Sequence, residues 1–409
     1  MNIALFSDSY LPTKSGVVTV VIQLRKILEE MGHHVVIVTV SSNDKDYEEE
    51  PDPNIMRVMS ILSPLGEGQY IGFPHRKAVA KFLQKNNIQI IHSHTEFFLG
   101  QMAVIVGKML DIPVVATTHT MWEDYYRYYL FMGELIPRRL VRKMVKTMYK
   151  KFYALINVSK KAHDYFTSPF CLPKTPSAII PNAIDTQKFI GSHVTEEDKV
   201  ALRKSLGIAE TDRVIICVGR VVEEKRVIEL ADVLIRVVRG RDNAKALFVG
   251  SGGALEILKE KVSEAGVADK ILFTGFIDWR KVYAYYAISN IYVTASLSEM
   301  HSMTVLEALS LGLPAVCRLD TSFSDTIFHG VNGYFADSDN AMDSYLYALI
   351  DNPEMCSQMG EKGREISKRF TLEKHGKRTV AFYNAVLSAW PQKIQSKTLE
   401  GAVKSADQN

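Results

Sequence analysis

Short apolar runs rich in valine and isoleucine alternate, along the first half of the chain, with segments whose apolar residues recur at helical spacing. The runs indicate buried β-strands and the intervening segments indicate helices. The predicted strands of this half are Asn2–Phe6, Val35–Val40, Ile55–Ile61, Ile88–Ile91, Val114–Thr117, Ala154–Val158 and Ala178–Ile180. Such an alternation predicts a parallel sheet with helices on both faces.

The same alternation restarts after a polar connection that begins near Ile180 and runs to Lys199. The strands predicted there are Val214–Val218, Ala246–Val249, Ile271–Phe273, Ile291–Thr294 and Ala315–Cys317. A chain of 409 residues is long for one core. The fold class is therefore α/β, with two doubly wound lobes, 1–185 and 196–371. The polar tail 396–409 is predicted to be disordered.

The composition adds little that is specific. A hydrophobic fraction of 47% and a charged fraction of 23% are those of an ordinary soluble globular protein, and a net charge of +3 is too small to predict nucleic-acid binding. The four cysteines have no metal-ligand spacing and indicate a reducing compartment: Cys171, Cys217, Cys317 and Cys356. No apolar run approaches membrane-spanning length. We expect a cytoplasmic protein with at most a peripheral contact to the inner face of the cell membrane.

Two carboxylates lie near one predicted strand end in the second half. Glu299 follows the strand Ile291–Thr294 in a short polar loop, and Glu307 lies early in a helix predicted over Thr304–Leu311, which Gly312 terminates. Loops at this end of a parallel sheet bind ligands, and carboxylates accept hydrogen bonds from sugar hydroxyls. Taken alone, the two residues are explained more simply as a helix cap and a solvated helix position.

The pair does not stand alone, because seven residues separate the carboxylates and Ala308 and Gly312-Leu-Pro314 follow them. This pattern resembles the signature of glycosyltransferase family 4, whose members are retaining, nucleotide-sugar-dependent enzymes with the GT-B fold. The chain departs from it at Met300-His301-Ser302, where the family usually has Phe-Gly. The resemblance covers about Met1 to Phe382. It implies two Rossmann-like lobes across a cleft, with a C-terminal helix at about 372–392 joined to the first lobe.

Loops after the predicted strands suit a nucleotide diphosphate. Arg220 and Lys225 follow Val214–Val218, and a planar guanidinium and a point charge both bind phosphate oxygens. They resemble the family's Arg/Lys pair, which implies that they stabilise the diphosphate, while Glu307 holds ribose hydroxyls and Glu299 sugar hydroxyls. The donor site that the resemblance implies is Gly16, Arg220, Lys225, Gly250, Ile277, Glu299, Met303, Thr304 and Glu307. The catalytic residues that it implies are His119, Glu299, Arg220 and Lys225.

Histidines mark two neighbouring strand ends of the first half. His92 and His94 end one strand and His119 ends the next, but no carboxylate or cysteine set completes a metal site, so we expect no metal there. In the resemblance, His119 matches a histidine that borders the transferred sugar. The runs His94–Gly100 and His119–Tyr126 are similar to the branch of the family that glucosylates diacylglycerol.

A basic segment lies between Glu134 and Tyr153. It carries seven cations and no acid from Arg138 to Lys151, and Leu140, Met144, Met148 and Phe152 recur every four residues. A basic amphipathic helix indicates a membrane surface or a partner helix, and a solvated surface helix is the equal alternative. The residues predicted to contact an anionic membrane or the acceptor are Arg138, Arg139, Arg142, Lys143, Lys146 and Lys150.

The function that the resemblance implies is retaining transfer of a hexose, glucose, from a nucleotide diphosphate sugar, UDP-glucose, to a membrane lipid such as diacylglycerol or a glycosyl-diacylglycerol. The residues themselves leave open the identity of the sugar and the choice between a uridine and a guanosine donor. No cofactor is expected, and Asp337-Ser-Asp339 is interpreted as turn and N-cap chemistry, not as a manganese site. A polysaccharide, glycoprotein or other soluble acceptor, a nucleotide-sugar 2-epimerase and an inert sugar-binding protein remain the alternatives. Nucleic acid is not an expected partner.

Overall fold

The computed structural model describes residues 1–13, 15–41, 51–62, 70–129, 135–185 and 194–408. The chain divides into two compact units. The first unit is Met1–Ala183 together with Leu372–Asn409, and the second unit is Ile184–Thr371. Part of the predicted connection between the lobes, residues 186–193, lies outside the described residues.

The first unit is built on a seven-stranded parallel sheet with the order β3-β2-β1-β6-β7-β8-β9. Its strands are β1 Asn2–Ser7, β2 His34–Val40, β3 Ile55–Val58, β6 Ile90–Ser93, β7 Val114–Thr118, β8 Ala154–Asn157 and β9 Ser177–Ile179. Helices flank it: α1 Gly16–Glu30, α2 Arg76–Lys85, α3 Phe98–Leu110, α4 Trp122–Tyr129, α5 Arg138–Tyr149 and α6 Lys160–Phe166. The central strands are fully buried because both faces are covered.

The predicted strand Ile55–Ile61 is two strands. β3 stops at Val58, the residue that pairs with Val40, the last residue of β2. Beyond that point the parallel ladder has no partner, and the chain enters a separate antiparallel pair, β4 Ser60–Leu62 with β5 Tyr70–Gly72. Strand length here is set by the neighbouring strand, which the apolar run alone does not reveal.

The second unit repeats the plan with a six-stranded parallel sheet in the order β12-β11-β10-β13-β14-β15. Its strands are β10 Arg213–Val218, β11 Ala244–Val249, β12 Ile271–Phe273, β13 Ile291–Thr294, β14 Ala315–Arg318 and β15 Gly333–Ala336. Its helices are α7 Glu196–Ser205, α8 Val227–Gly240, α9 Leu255–Glu264, α10 Trp279–Ala287, α11 Met303–Ser310, α12 Asp339–Asp351 and α13 Pro353–Ser367.

The edge strand β15 was not among the predicted strands, because four residues that begin with glycine give no clear period. Gly333 is required there, since a Cβ atom would lie 2.2 Å from the carbonyl oxygen of Ala315 on β14.

The chain returns to the first unit through α14 Leu372–Ala389 and α15 Ser396–Ser405. The prediction of a disordered tail at 396–409 is wrong for the described part of that segment. Leu399 and Val403, one helical turn apart, are buried in the same apolar cluster as Phe382 and Tyr383 of α14. Two apolar residues suffice because α14 and β9 already offer a surface to pack on. Within the described ranges, no helix is long and apolar enough to cross a bilayer.

Candidate active site

The basic loop of the second unit lies at the carboxyl end of β10. Gly219 and the short 3-10 turn Glu223–Lys225 carry the chain from β10 toward α8. Arg220 and Lys225 both point to Glu224, with a guanidinium nitrogen 3.4 Å and the Lys225 Nζ 3.5 Å from its Oε1. Glu224 is buried, with 5% of its surface exposed. Glu224 was not among the predicted site residues, although its position between two candidate phosphate-binding cations in the sequence indicates a role in holding them.

Glu299 lies within reach of the same loop. Its Oε1 is 2.8 Å from the Nζ of Lys225, which also lies 3.4 Å from the hydroxyl of Ser298. The side chains of Lys225 and Glu299 are each 20% exposed. The structure therefore brings together two residues that the sequence assigned to different parts of the donor, because opposite charges on adjacent strand ends attract at this distance.

Glu307 is one turn into α11. The hydroxyl of Tyr286 donates to its Oε2 at 3.0 Å. Burial raises the pKa of Glu307 to about 7, although the hydrogen bond from Tyr286 acts in the opposite direction. Tyr286 lies on α10 and is fully buried, so its hydroxyl holds the Glu307 carboxylate from the interior of the unit. The spacing of the two residues in the sequence did not reveal this contact.

The start of α11 is capped by its own side chains. The Oγ of Ser302 accepts from the backbone N–H of Val305 at 3.5 Å and lies 3.1 Å from the Oγ1 of Thr304, which in turn lies 2.8 Å from the hydroxyl of Tyr292. Met303 is partly buried and packs against Leu306. These contacts hold the first turn of α11 in place beside Glu299 and Glu307.

The residues that depart from the family pattern, Met300 and His301, are both buried. The ring centroid of His301 lies 5.4 Å from that of Phe370, so His301 packs inside the unit and stabilises the loop.

The glycine loops of this unit interlock. The backbone N–H of Gly250 donates to the carbonyl of Gly275 at 3.0 Å, and that of Gly219 donates to Val249 at 3.0 Å. A Cβ on Gly250 would lie 1.9 Å from the carbonyl oxygen of Gly219. Gly250 therefore has a structural reason to be glycine, in addition to the donor contact predicted for it. Ile277, also predicted to contact the donor, follows the next loop, is partly buried and packs against the core.

Asp339 of the run Asp337-Ser-Asp339 lies at the start of α12 and is held in ion pairs. Ser338 is the N-cap of α12, accepting from the backbone N–H of Ala341, and Asp339 is the first helical residue. Asp339 pairs with Arg226 at 2.7 Å and with Arg318 at 2.8 Å. Across the described ranges, no group of three or more His, Cys, Asp or Glu residues could hold a metal ion.

The corresponding edge of the first unit carries histidines. His94 Nδ1 lies 3.0 Å from His119 Nε2, and their rings stack at 5.3 Å. His92 is held on both nitrogens, by Tyr383 and by Thr117, at 2.6 Å each. Burial lowers the pKa of His92 and His94 well below the ordinary value and that of His119 to about 3. These rings are neutral hydrogen-bonding groups at pH 7.

Gly16 is the first residue of α1, directly after the N-cap Ser15. No atom of the described structure lies within 4 Å of the position that a Cβ would take there, so the glycine leaves open space at the helix start. The nearby strand end is fixed by Asp8, which accepts from the backbone N–H of Leu99 at 2.9 Å and from the hydroxyl of Thr95 at 2.7 Å.

The basic segment forms α5, but its buried face differs from the predicted stripe. Val141, Val145 and Tyr149 are buried. Leu140 is 55% exposed, and Met144 and Met148 are only partly buried. The face that packs on the unit is therefore one residue away from the face that the four-residue repeat predicted, and Leu140 faces solvent.

Two of the six predicted membrane-contacting cations are held by acids of α4. Arg142 binds both carboxylate oxygens of Glu123, at 2.6 and 2.7 Å, and Arg138 lies 3.1 Å from Asp124. The expectation of an unneutralised segment is wrong for these two, since acids distant in sequence are adjacent in space. The remaining four are exposed: Arg139, Lys143, Lys146 and Lys150.

Similarity to known proteins extends over nearly the whole chain. Residues 14–188 match the model of Glycosyltransferase Family 4, and residues 198–366 match Glycosyl transferases group 1. A protein of Streptococcus pneumoniae named alpha-monoglucosyldiacylglycerol synthase is 32% identical over 406 residues, covering 97% of this chain and 89% of its own. The chain is a family 4 glycosyltransferase.

A second relative with the same name, from Acholeplasma laidlawii, is 28% identical to this glycosyltransferase over 97% of this chain and 100% of its own. Among solved structures, the Anabaena protein HepE in complex with UDP has a TM-score of 0.75 at 15% identity, covering 94% of this chain and 100% of its own. Sucrose-phosphate synthase from Thermosynechococcus elongatus has a TM-score of 0.74 at 19% identity, covering 95% and 99%. These neighbours confirm the predicted GT-B fold with two Rossmann-like lobes.

Within its second unit, this glycosyltransferase holds the predicted donor residues around the ends of β10 and β13 and the start of α11. Arg220, Lys225 and Glu299 form one connected charge cluster through Glu224, while Glu307 is fixed separately by Tyr286. Their roles toward a donor remain predictions.

Proposed function

We propose that this glycosyltransferase moves glucose from UDP-glucose to the free hydroxyl of diacylglycerol, with retention, at an anionic membrane surface. The names of the two relatives that match over 97% of the chain support the sugar and the acceptor. UDP bound to a protein of the same fold supports a uridine donor. A glycosyl-diacylglycerol is the closest variant of the acceptor.

The charge cluster of the second unit suits the donor diphosphate. As the bond between C1 of glucose and the β-phosphate breaks, negative charge grows on the phosphate oxygens. Arg220 and Lys225 place two cations beside that charge, and preorganised charges are usually the largest catalytic contribution. Glu224 contacts both cations before the donor arrives, so they already lie side by side in this loop.

The two carboxylates then take the hydroxyls. Glu307, held by Tyr286, accepts from the ribose, and Glu299 accepts from the transferred glucose. Since Lys225 lies 2.8 Å from Glu299, phosphate and sugar are recognised by two ends of one ion pair. We expect the pair to open partly when the donor binds, with each side chain turning to its own part of the donor.

Retention follows if the acceptor attacks from the face that the diphosphate leaves. The acceptor oxygen bonds to C1, the bond from C1 to the phosphate oxygen breaks, and the acceptor proton passes to the departing UDP. This route needs no carboxylate nucleophile.

The observation that carries the lipid acceptor is the surface of the first unit around α5. Arg139, Lys143, Lys146 and Lys150 are exposed, and Leu140 lies among them with 55% of its surface exposed. Each such cation near an anionic bilayer contributes about 1 kcal/mol of attraction. A diacylglycerol hydroxyl stays at the headgroup level, so an enzyme that uses it must work there.

Helix α3 extends this surface with apolar residues. Phe98, Ile105 and Met109, at positions i, i+7 and i+11, are 48%, 45% and 49% exposed, which places three large side chains on one outward face. The Nζ of Lys151, at the end of α5, lies 2.7 Å from the Oε1 of Gln101 on α3, so the apolar and basic surfaces are adjoining. Aromatic and aliphatic residues beside cations are typical of interfacial binding.

Vesicle co-sedimentation tests the membrane part. The variant Arg139→Glu/Lys143→Glu/Lys146→Glu reverses three exposed charges and leaves Arg142 on Glu123. We expect the wild type to pellet with anionic vesicles and not with neutral ones, less at high salt, and the variant to stay in solution. A matched control reverses three exposed lysines of the second unit, Lys204, Lys362 and Lys368, and should pellet like the wild type. Equal pelleting of both variants, or none by the wild type, would contradict the membrane assignment.

A substrate panel tests the chemistry. Purified enzyme is given UDP-glucose, other nucleotide sugars, diacylglycerol in mixed vesicles, glycosyl-diacylglycerol and soluble sugar acceptors. We expect α-linked glucosyl-diacylglycerol, identified by NMR of the anomeric proton. A soluble product, or an epimerised nucleotide sugar without acceptor, would replace the proposal with one of the alternatives.

A further inference from the structure

Four histidine side chains from three separate parts of the first unit meet beneath the end of its sheet. His92 and His94 lie on and after β6, His119 follows β7 and His375 comes from α14. His375 donates from Nδ1 to the carbonyl of Pro181 at 2.8 Å, and His92 is held on both nitrogens. Two of the four, His92 and His375, are therefore fixed to the fold by groups outside the histidine set.

His94 differs from its neighbours. Its Nδ1 faces the Nε2 of His119 at 3.0 Å, while its own Nε2 is buried and has no hydrogen-bond partner among the described residues. His94 borders a small cavity with both apolar and polar walls. The apolar ones are Val20, Ile156, Val158 and Ile180, and the polar ones are His92, Thr117, Asn182, His375 and Thr379.

The arrangement determines which nitrogen carries the proton. Both rings are neutral at pH 7, because burial lowers the pKa of each, so each ring carries one N–H. The two facing nitrogens make a hydrogen bond only if one of them is protonated and the other is not. If His119 were the donor, His94 would carry its proton on Nε2, as a buried N–H without an acceptor.

A buried N–H without an acceptor is rarer and more costly than a buried lone pair without a donor. His94 is therefore protonated on Nδ1 and donates to Nε2 of His119. It follows that His119 carries its own proton on Nδ1, the edge of its ring that does not face His94.

We propose that His94 is a positioning residue for sugar transfer, which fixes His119 in the Nδ1–H tautomer so that this ring offers a hydrogen-bond donor to an oxygen of the transferred glucose. The role of His119 beside the sugar rests on the proposed function, whereas the tautomer follows from the geometry of the first unit alone. A neutral ring in the other tautomer would present a lone pair at this position and could not donate a hydrogen bond to that oxygen.

Long-range 1H–15N correlation of the full-length enzyme, labelled with 15N-histidine, reports the tautomer directly. The His119 resonance is assigned by its absence in His119→Gln. We expect wild-type His119 to be protonated on Nδ1. In His94→Asn, whose amide N–H takes the place of Nδ1–H, the tautomer should be kept; in His94→Leu, which has no donor, His119 should become a mixture of both forms.

Kinetics adds a measurement that a purely structural role would not move. His94→Leu should lower kcat by roughly 10-fold or more, the effect of one misdirected hydrogen bond of about 1.4 kcal/mol, with a smaller change in the KM for the donor. His94→Asn should restore most of kcat. Thermal unfolding of both variants shows whether the fold is retained.

Wild-type His119 protonated on Nε2, or an unchanged tautomer and kcat in His94→Leu, would overturn the proposal. Equal losses of kcat in His94→Leu and His94→Asn would also do so, since the effect would then come from packing. If the wild type used no glucose donor at all, the proposed function would fail, while the tautomer measurement would still decide whether His94 directs the ring of His119.

Discussion

The carboxyl edges of the two parallel sheets are built alike, but one presents neutral side chains and the other presents ion pairs. In the first unit, the edge holds neutral imidazole rings, with His92 and His94 buried and their pKa values lowered well below the ordinary value. In the second unit, the edge carries a chain of ion pairs: Glu224 lies 3.4 Å from Arg220 and 3.5 Å from Lys225, and Lys225 lies 2.8 Å from Glu299.

The difference shows that burial and ion pairing together determine whether a titratable side chain is charged. A titratable group that is buried without an opposite charge loses its charge, whereas one that stays partly exposed and paired keeps it. The side chain of Arg220 is 53% exposed and so remains in contact with solvent, while the buried Glu224 is compensated by two cations. The first edge is suited to hydrogen bonding with a neutral sugar, and the second to binding an anionic diphosphate.

The largest expected effect comes from removing the charges of the second edge. Arg220→Ala/Lys225→Ala should cost several kcal/mol of transition-state stabilisation, roughly 10²-fold or more in kcat/KM. The double variant also leaves Glu224 buried without these two cations, which could impair folding. A triple variant that adds Glu224→Gln removes the buried charge as well and separates an effect on folding from one on catalysis. A matched control, Arg241→Ala/Lys259→Ala, removes two other ion-paired cations of the second unit and should keep its activity. If Arg220→Ala/Lys225→Ala kept the wild-type kcat/KM, the second edge would not act through its charges as described.

The two carboxylates of the second unit should separate by kinetic parameter. Glu299→Ala should lower kcat by about 10- to 100-fold, because hydrogen bonds to a charged group contribute about 1.5–3 kcal/mol and this one touches the reacting sugar. Glu307→Ala should chiefly raise the KM for the donor, since the ribose is bound equally in ground and transition states. Steady-state kinetics with varied donor measures both. If either variant kept both kcat and KM, its assignment would be wrong.

The two units should respond to acid in opposite directions. A histidine that is neutral when folded takes up a proton near pH 6.5 when unfolded, so its stabilising contribution is complete above that pH and is lost as the pH falls. At pH 5.5 this amounts to about 1.4 kcal/mol for each such ring. The rings concerned are His92, His94, His119 and His375.

Buried carboxylates have the opposite sign. Burial raises the pKa of Glu307 to about 7, so stability that is present at low pH is lost as the pH rises toward 7, and acidification stabilises the second unit. In the first unit, Glu96, with a pKa of about 7, and Asp8, at about 6, offset part of the histidine loss.

Between pH 7.5 and 5.5 we expect the first unit to lose about 1 kcal/mol or more and the second to gain a similar amount. Hydrogen exchange, corrected for intrinsic rates and resolved by peptide, measures each unit separately. A loss of protection on acidification that is confined to the second unit would contradict the predicted directions for both units.

The smallest expected effect is that of metal removal. If the diphosphate is neutralised by Arg220 and Lys225, EDTA should leave the rate unchanged within error, and Asp339→Asn should impair stability through its pairs with Arg226 and Arg318 more than turnover. Complete loss of activity in EDTA, restored by Mn²⁺, would show that the second edge needs a cation that these arginine and lysine side chains do not replace.

Much of the architecture was predictable, because strand–helix alternation is a local signal. The parallel strands, the two-lobed fold class and the family followed from apolar runs and from motif spacing. The end of β3 and the position of β15 did not, because a strand extends only as far as its neighbour pairs with it, as Val40 does with Val58. The helix at 396–405 was missed because its burial depends on α14 and β9.

For the site, the sequence by itself determined which residue types stand at the strand ends: His94 and His119 in one unit, Arg220, Lys225 and Glu299 in the other. Only the tertiary structure decided which of them are charged and what they touch. Glu123 pairs with Arg142, which lies nineteen positions further along the chain, and Glu224 contacts both cations of its loop. Desolvation and ion pairing depend on distance and solvent exposure in three dimensions, and neither quantity is written in the order of the residues.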